Sequence, residues 1–226
     1  MTKIAIAGSR GKMGKRIIGL AEKDKELTLV AKFDVGVPAE CEIAKCDILI
    51  DFTAPQATME HVKIAERLKK GVVIGTTGLS KEENEAIQRA SKDIPIVMSP
   101  NMSVGVNLLF KLCQDAARTL SKDYKVSMRE VHHIHKKDSP SGTAKRLAEV
   151  VALERKMLAR EIPIESIREG EVVGDHKVIF ESGDETIELF HSAKSRDTFA
   201  AGALEAAKFL AGKKSGLYSM RDVLGI

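Results

Sequence analysis

The sequence predicts an α/β chain, with a doubly wound parallel sheet in its first part and a smaller α+β arrangement after it. Three observations carry this. Short apolar runs alternate with amphipathic helical patterns from the N-terminus to about residue 100. A glycine loop, GSRGKMG at Gly8 to Gly14, sits directly between the first apolar run and the first helical pattern. From Tyr124 the pattern changes to the period-two alternation of half-buried antiparallel strands.

Lys3 to Ala7 reads as the first strand and Lys12 to Lys23 as the helix that follows the glycine loop. Leu27 to Asp34, Asp47 to Phe52, Val72 to Gly75 and Ile94 to Met98 are the next strands, with helices over Pro55 to Lys70 and Ser80 to Lys92 between them. Five parallel strands joined by crossover helices make a doubly wound unit that ends near residue 100. Ser103 to Leu120 is helical in pattern. Tyr124 to His133, Lys177 to Ser182 and Thr186 to Ala193 alternate as strands, and Thr143 to Lys156 reads as a helix. The small residues of FAAGALEAAKFLAG, Phe199 to Gly212, suit a helix packed closely on another element. The expected division is a first domain of residues 1–103 with 197–226, the tail returning to it, and a second domain of residues 104–196.

Composition excludes several function classes. Of the 226 residues 43% are hydrophobic and 30% charged, which is globular usage. No apolar run approaches the roughly 18 residues of a membrane span, and the opening MTKIAIAGSRG lacks the apolar region of a secretory signal. The cysteines Cys41, Cys46 and Cys113 are odd in number and show no CxxC spacing, so reduced thiols and a cytoplasmic location are expected. A net charge of +4 spread along the chain lacks the basic, aromatic-interleaved pattern of a nucleic-acid surface.

The loop GSRGKMG, between strand and helix, has the context of a pyrophosphate site. Glycines permit a tight turn and close backbone approach, and the helix N-terminus offers free N–H groups to an anion. Twenty residues after Gly14, Asp34 ends the second strand, where a carboxylate accepts from ribose hydroxyls and repels a 2′-phosphate. The spacing is irregular, since alignment on Gly11 and Gly14 puts the usual first glycine on Ser9 and leaves Gly8 one place early. A glycine turn that only joins strand to helix is the alternative; strand, loop, helix and acid together favour dinucleotide binding. The loops DFTAP (Asp51 to Pro55), GTTG (Gly75 to Gly78) and SPNMSVG (Ser99 to Gly105) follow later strands, where ligands of such sheets bind, and carry small residues, hydroxyls and an amide. Each singly also reads as turn or cap chemistry.

The stretch EVHHIHKKDSPSGTA, Glu130 to Ala144, is the densest cluster of proton-carrying groups. Alternation puts His133 and His135 on one face and His132 on the other. A metal site is one reading, against which no third ligand follows at a metal spacing and no cysteine is near. A solvated basic loop is another. The third is a site for a small dianionic substrate: histidines carry protons near neutral pH, lysines neutralise carboxylates, and the N–H groups of Gly142 and Thr143 open a helix toward an anion.

On GSRGKMG, DFT, GTTG, PNMSVGVN and above all EVHHIHKKDSPSGTA, with REGEVVGDHKVIF and SRDTFAAGA in the second half, the chain resembles the dihydrodipicolinate (4-hydroxy-tetrahydrodipicolinate) reductase family of lysine and diaminopimelate synthesis over nearly its whole length. The resemblance implies a Rossmann domain, an α+β domain whose sheet drives homotetramer formation, and an NADH- or NADPH-dependent reduction of a small dicarboxylate. No metal is implied. By position it implies that His132 is the catalytic proton donor and Lys136 the second catalytic acid, with His133, Gly142 and Thr143 binding substrate carboxylates. The cofactor would be bound by Gly8, Ser9, Arg10, Gly11, Lys12, Met13, Asp34, Gly75, Thr76, Thr77, Ser99, Pro100, Asn101 and Met102. Two departures from the family pattern stand out: the chain is short between Asp34 and Asp47, where a strand and a helix are expected to be missing, and Met102 occupies a position where an aromatic is common.

Overall fold

The run KIAIA has no polar face, so the strand it forms must be covered on both sides, and Ile4, Ala5, Ile6 and Ala7 are all fully buried. The computed structural model describes residues 1–226, and the chain divides into two compact units, Met1–Val104 with Asp197–Ile226, and Gly105–Arg196.

In the first unit β1 (Thr2–Ala7), β2 (Leu27–Phe33), β3 (Ile48–Asp51), β4 (Gly71–Ile74), β5 (Pro95–Met98) and β10 (Gly216–Tyr218) form one parallel sheet in the order β10-β5-β4-β3-β1-β2. Alternation in β1 sends Ile4 and Ile6 to one face and Ala5 and Ala7 to the other. The first face packs on α1 (Lys12–Ala21) and α7 (Asp197–Leu210) through Ile17, Ala203 and Leu210. The second packs on α3 (Pro55–Arg67) and α4 (Lys81–Ala90) through Val62 and Ile87, with the short α2 (Ala39–Ile43) alongside. Strand order reverses at β1, which has β2 on one side and β3 on the other, so the crevice for a ligand opens at the carboxyl ends of β1 and β3.

Helix ends follow local chemistry. Ser80 caps α4 by accepting from the Glu83 N–H while Glu83 accepts from the Ser80 N–H, a reciprocal capping box. Helix α3 ends at Arg67, and Lys69 just beyond it takes the left-handed conformation with φ 54°.

The second unit contains all but the first residue of α5 (Val104–Thr119), α6 (Gly142–Arg155) and a four-stranded sheet in the order β7-β6-β8-β9, built from β6 (Lys125–His132), β7 (Ile164–Arg168), β8 (Gly174–Glu181) and β9 (Thr186–Ala193). The β6–β7 pair is parallel and the other pairs antiparallel. Met128, Val178 and Phe180 point from this sheet into a core with Leu109, Phe110, Leu147 and Val151 of the two helices. The chain closes with α8 (Met220–Leu224), whose Met220 is fully buried in the first unit. All three cysteines are free, and burial pushes the Cys46 and Cys113 thiols up to about 11 and about 12, which makes them inert hydrophobes. No helix is long and apolar enough to cross a membrane.

Several expectations need correction. Between Asp34 and Asp47 no extra strand is present, but a helix is, reduced to the five residues of α2. Strand β8 begins at Gly174, three residues before the expected Lys177, because Gly174 and Asp175, turn-like in isolation, pair with β9. The short β7, β10 and α8 had no periodicity long enough to read.

Candidate active site

In the first unit the glycine loop resolves the irregular spacing. Gly8 is the turn residue, at φ +77°, where a side chain would be strained and a Cβ would also meet the Phe52 carbonyl at 2.5 Å. Gly14 lies against the Gly8 carbonyl so closely that a Cβ there would overlap it. Gly11 is the N-cap of α1, donates its N–H to the Gly8 carbonyl at 3.0 Å, and supplies no side-chain cap; nor does the first turn contain an acid. The first N–H groups of the helix therefore have no side-chain partner and can donate to an anion.

Gly14→Ala is expected to destabilise the first unit by at least the roughly 1–3 kcal/mol of an overpacked site, since the clash is with backbone that cannot rotate away. Denaturant titration with and without NADH checks it. An unchanged midpoint would place the helix elsewhere than on the loop.

Asp34 follows directly on β2. Its carboxylate accepts from the Arg10 N–H at 2.8 Å and the Val35 N–H at 2.9 Å, and these two bonds hold its pKa below the ordinary value. It remains ionised and aimed at a cavity of about 630 Å³ lined by Gly8, Asp34, Val35, Pro38, Phe52 and His61 among others. A turn glycine, an uncapped helix start and a fixed carboxylate around one cavity fit the pyrophosphate and adenosine ribose of a dinucleotide. The other loops are placed differently from one another. Gly75 is covered by the Phe52 ring, which a Cβ would overlap. Thr76 turns inward: its hydroxyl lies 3.1 Å from the Thr53 N–H, 2.8 Å from the Thr58 hydroxyl and 3.3 Å from Asp51 Oδ1. Asp51, fully buried, also meets His61 Nδ1 at 2.7 Å. This polar knot rigidifies the loop ends of β3 and β4. Thr77 and Pro100 are exposed, while Ser99 bonds the Asn101 carbonyl at 2.8 Å and Asn101 Oδ1 caps the Ser103 N–H at 2.9 Å. Met102 is 2% exposed and belongs to the core, its carbonyl packed against Gly202, so the fold leaves it little surface for a ligand.

In the second unit, strand register assembles the histidine stretch. Glu130 and His132, two apart on β6, share the covered face; Glu130 pairs with Ser166 of β7 and His176 of β8, and His132 pairs with Arg168. The chain then leaves the strand, and its loop is zipped to residues 169–172 by His133 N–H to the Val172 carbonyl at 2.7 Å and Ile134 N–H to the Gly170 carbonyl at 3.1 Å. His133 and His135 stand together, ring centroids 6.0 Å apart, with His135 exposed. Arg168 ties the stretch down, donating to Glu130 Oε1 at 3.0 Å and to the carbonyls of Lys136 at 3.3 Å and Asp138 at 2.5 Å. Lys136 extends to Asp138 Oδ1 at 2.8 Å. Burial raises the Asp138 pKa, but Lys136 and the N–H of Gly142 outweigh it and the pKa is lowered. The lysine and the helix start therefore converge on one carboxylate. Ser141 caps α6, accepting from the Ala144 N–H at 3.2 Å.

His132 is buried against Glu130, with its Nδ1 facing Glu130 Oε2, and its ring meets that of His176 edge-on at 5.1 Å. Burial pulls its pKa below the usual imidazole value; Glu130 pulls it up, and Lys136 and Arg168 add to the lowering. His133 is lowered too, by desolvation first and then by Arg196. His176 is pushed down to about 3 by burial, with His132 adding to the effect, and stays neutral. Glu130, His132 and His176 lie within 4.8 Å of one another, a set that could take a metal ion. Ligand atoms on one tetrahedral zinc stand roughly 3.3 Å apart at ordinary bond lengths, and Glu130 Oε2 and His132 Nδ1 are closer than that, as an ion pair. Sequence reasoning missed Glu130, Ser141, Arg168 and His176 as site residues. Only their membership of the motifs EVHHIH, PSGTA and REGEVVGDHKVIF could have found them.

Comparison with known proteins agrees over the whole chain. Residues 2–102 match the family model described as dihydrodipicolinate reductase, N-terminus, and residues 105–224 that described as dihydrodipicolinate reductase, C-terminus. The 4-hydroxy-tetrahydrodipicolinate reductase of Syntrophus aciditrophicus is 41% identical over 265 residues, covering 100% of this chain and 99% of that one. That of Aquifex aeolicus is 42% identical over 262 residues, covering 99% of each. These aligned lengths exceed the 226 residues here, so this chain omits segments its relatives carry. Among solved structures, the dipicolinate-bound dihydrodipicolinate reductase from Paenisporosarcina sp. TG-14 superposes with a TM-score of 0.85 at 23% identity, covering 97% of each chain. The amine dehydrogenase of Mycobacterium smegmatis shares the fold at a TM-score of 0.69 and 9% identity, covering 97% of this chain and 95% of that one.

Proposed function

The chain belongs to the dihydrodipicolinate reductase family, and from that premise we propose how its residues divide the work. It is an oxidoreductase that uses NADH or NADPH to reduce 4-hydroxy-tetrahydrodipicolinate, by way of its dehydrated form, to tetrahydrodipicolinate in diaminopimelate and lysine synthesis. Bound to the first unit, the nicotinamide supplies the hydride.

The glycine loop from Gly8 to Met13 holds the pyrophosphate, and Asp34 the adenosine ribose. The loops at Gly75 to Thr77 and Ser99 to Met102 line the nicotinamide end. In the second unit His133 and the N–H groups of Gly142 and Thr143 hold the substrate carboxylates. Lys136 places its ammonium against the conjugated imine, which gains electron density as the hydride arrives, and His132 then delivers a proton to the resulting enamine. A substrate carboxylate would take over from Asp138 at the lysine and the helix start, exchanging one carboxylate for another at little electrostatic cost. The observation that carries the reading is the convergence of a buried histidine, a lysine and a helix N-terminus within Glu130 to Thr143. We also propose that the dicarboxylate enzyme works as a homotetramer in the cytoplasm.

A coupled assay with freshly generated 4-hydroxy-tetrahydrodipicolinate tests it. Substrate-dependent oxidation of NADH or NADPH is the expected result; cofactor binding without turnover would rule the reading out. Both cofactors are expected to serve, with a lean to NADH, because Asp34 disfavours a 2′-phosphate while Arg10 and Lys12 can pair with one. Asp34→Ala is expected to raise kcat/KM for NADPH relative to NADH. An unchanged ratio would mean that the ribose is held elsewhere.

A further inference from the structure

We propose that Glu130 is a positioning residue for the reaction: its Oε2 fixes His132 in the tautomer with hydrogen on Nδ1, so that Nε2 is the nitrogen that exchanges the proton with substrate. The inference rests on the reading of His132 as the proton donor. Its geometric basis is independent of that reading.

Glu130 is 1% exposed, too buried to be a surface charge, and its two oxygens have separate partners. Oε1 accepts from the Ser141 N–H at 3.2 Å and from Arg168 Nη2 at 3.0 Å. That leaves Oε2, which accepts no other hydrogen bond, facing His132 Nδ1 as an ion pair. Burial alone would protonate this carboxyl, but the Ser166 hydroxyl, the Arg168 guanidinium, His132 and the Ser141 N–H outweigh it, and its pKa lies below the ordinary value. An ionised carboxylate only accepts, so the nitrogen facing it must carry the hydrogen. The acceptor or acid function of the imidazole is thereby assigned to Nε2. On that side of the ring the neighbour is Gly174, where a Cβ would stand 3.0 Å from Nε2; glycine keeps the reactive nitrogen from being covered.

The charge around His132 makes the carboxylate matter. Lys136 on the loop and Arg168 on β7 both oppose an imidazolium, His176 on β8 is neutral, and Glu130 on β6 is the acid that favours it. Removing the Glu130 charge therefore lowers the His132 pKa further, and the proton-donating form, populated below that pKa, is lost from a lower pH upward.

Glu130→Gln is close to isosteric and separates the roles. Its amide oxygen would take the Arg168 and Ser141 donors, which turns the NH₂ toward His132 Nδ1 and forces hydrogen onto Nε2. In the full-length protein labelled with ¹⁵N-histidine, with His132 assigned by its absence in His132→Gln, the wild type is expected to show a protonated Nδ1 in the neutral ring, and Glu130→Gln the reverse. The turnover number should fall roughly 10–100-fold, as for loss of an orienting partner, with KM nearly unchanged and the descending limb of the kcat–pH profile moved to lower pH. A wild-type His132 protonated on Nε2 would overturn the proposal, even if Glu130→Gln fails to fold. So would a Glu130→Gln protein of reduced melting temperature whose tautomer and pH profile match the wild type, since that is a purely structural role. If instead the tautomers behave as expected but His132→Gln retains full turnover, the proton-donor reading fails and the pairing of Glu130 with His132 stands.

Discussion

His132→Gln is expected to lower the turnover number about a hundredfold or more, the usual contribution of a general acid, while KM changes little. Glutamine preserves polarity and approximate length but cannot deliver a proton, and a proton delivered in the transition state is absent from the ground-state complex. The pH dependence of the wild type should carry the same signature. Because burial holds the His132 pKa below the usual 6.5, the acid form is favoured on the low-pH side, and kcat/KM should fall as pH rises through a value beneath 6.5. His132→Gln should lack that descending limb. Steady-state kinetics across pH, with melting temperatures as the folding control for so buried a position, decide it. Near-wild-type turnover in a folded His132→Gln protein would move the proton donor to another group.

Lys136→Met is expected to lower kcat by roughly 10²–10³, the range seen when one donor to a developing charge is removed. The folding cost should be small. The Lys136 side chain is 23% exposed and its Asp138 partner 52% exposed, so the pair they form is largely a surface one worth little to stability. The loop itself is held by other groups, namely Arg168 and the backbone bonds of His133 and Ile134. A drop in kcat with a modest change in KM would place the ammonium at the charge that develops during the reaction. A rise in KM alone would assign Lys136 to ground-state carboxylate binding, and the catalytic role given to it here would be wrong.

What the sequence determined by itself is what short-range physics governs. An unbroken apolar run such as KIAIA has to be a buried strand, a glycine loop between strand and helix has to turn there, and the acid that ends the next strand lands beside that turn. Parallel strands and crossover helices then bring Gly8 and Asp34 to one cavity. Family-level motifs likewise made His132, Lys136 and the Pro-Ser-Gly-Thr turn legible as one stretch. The short elements were not legible, because the five residues of α2 and the three of β10 are too few to show a period. Which glycine does what was also hidden: Gly8, one place out of register in the motif, is the residue at positive φ.

Only the tertiary structure decided the surroundings of His132. Glu130 is two residues away, but Arg168 and His176 are brought to it by the parallel pairing of β6 with β7 and the antiparallel pairing of β6 with β8. A shift of one residue in either register would turn those side chains to the opposite face. Register is fixed by the packing of Met128, Val178 and Phe180 against α5 and α6, a long-range property of the folded core. His132 and its partner Glu130 are therefore written locally, while the burial that lowers the His132 pKa and the neighbours Arg168 and His176 come from strands distant in the chain.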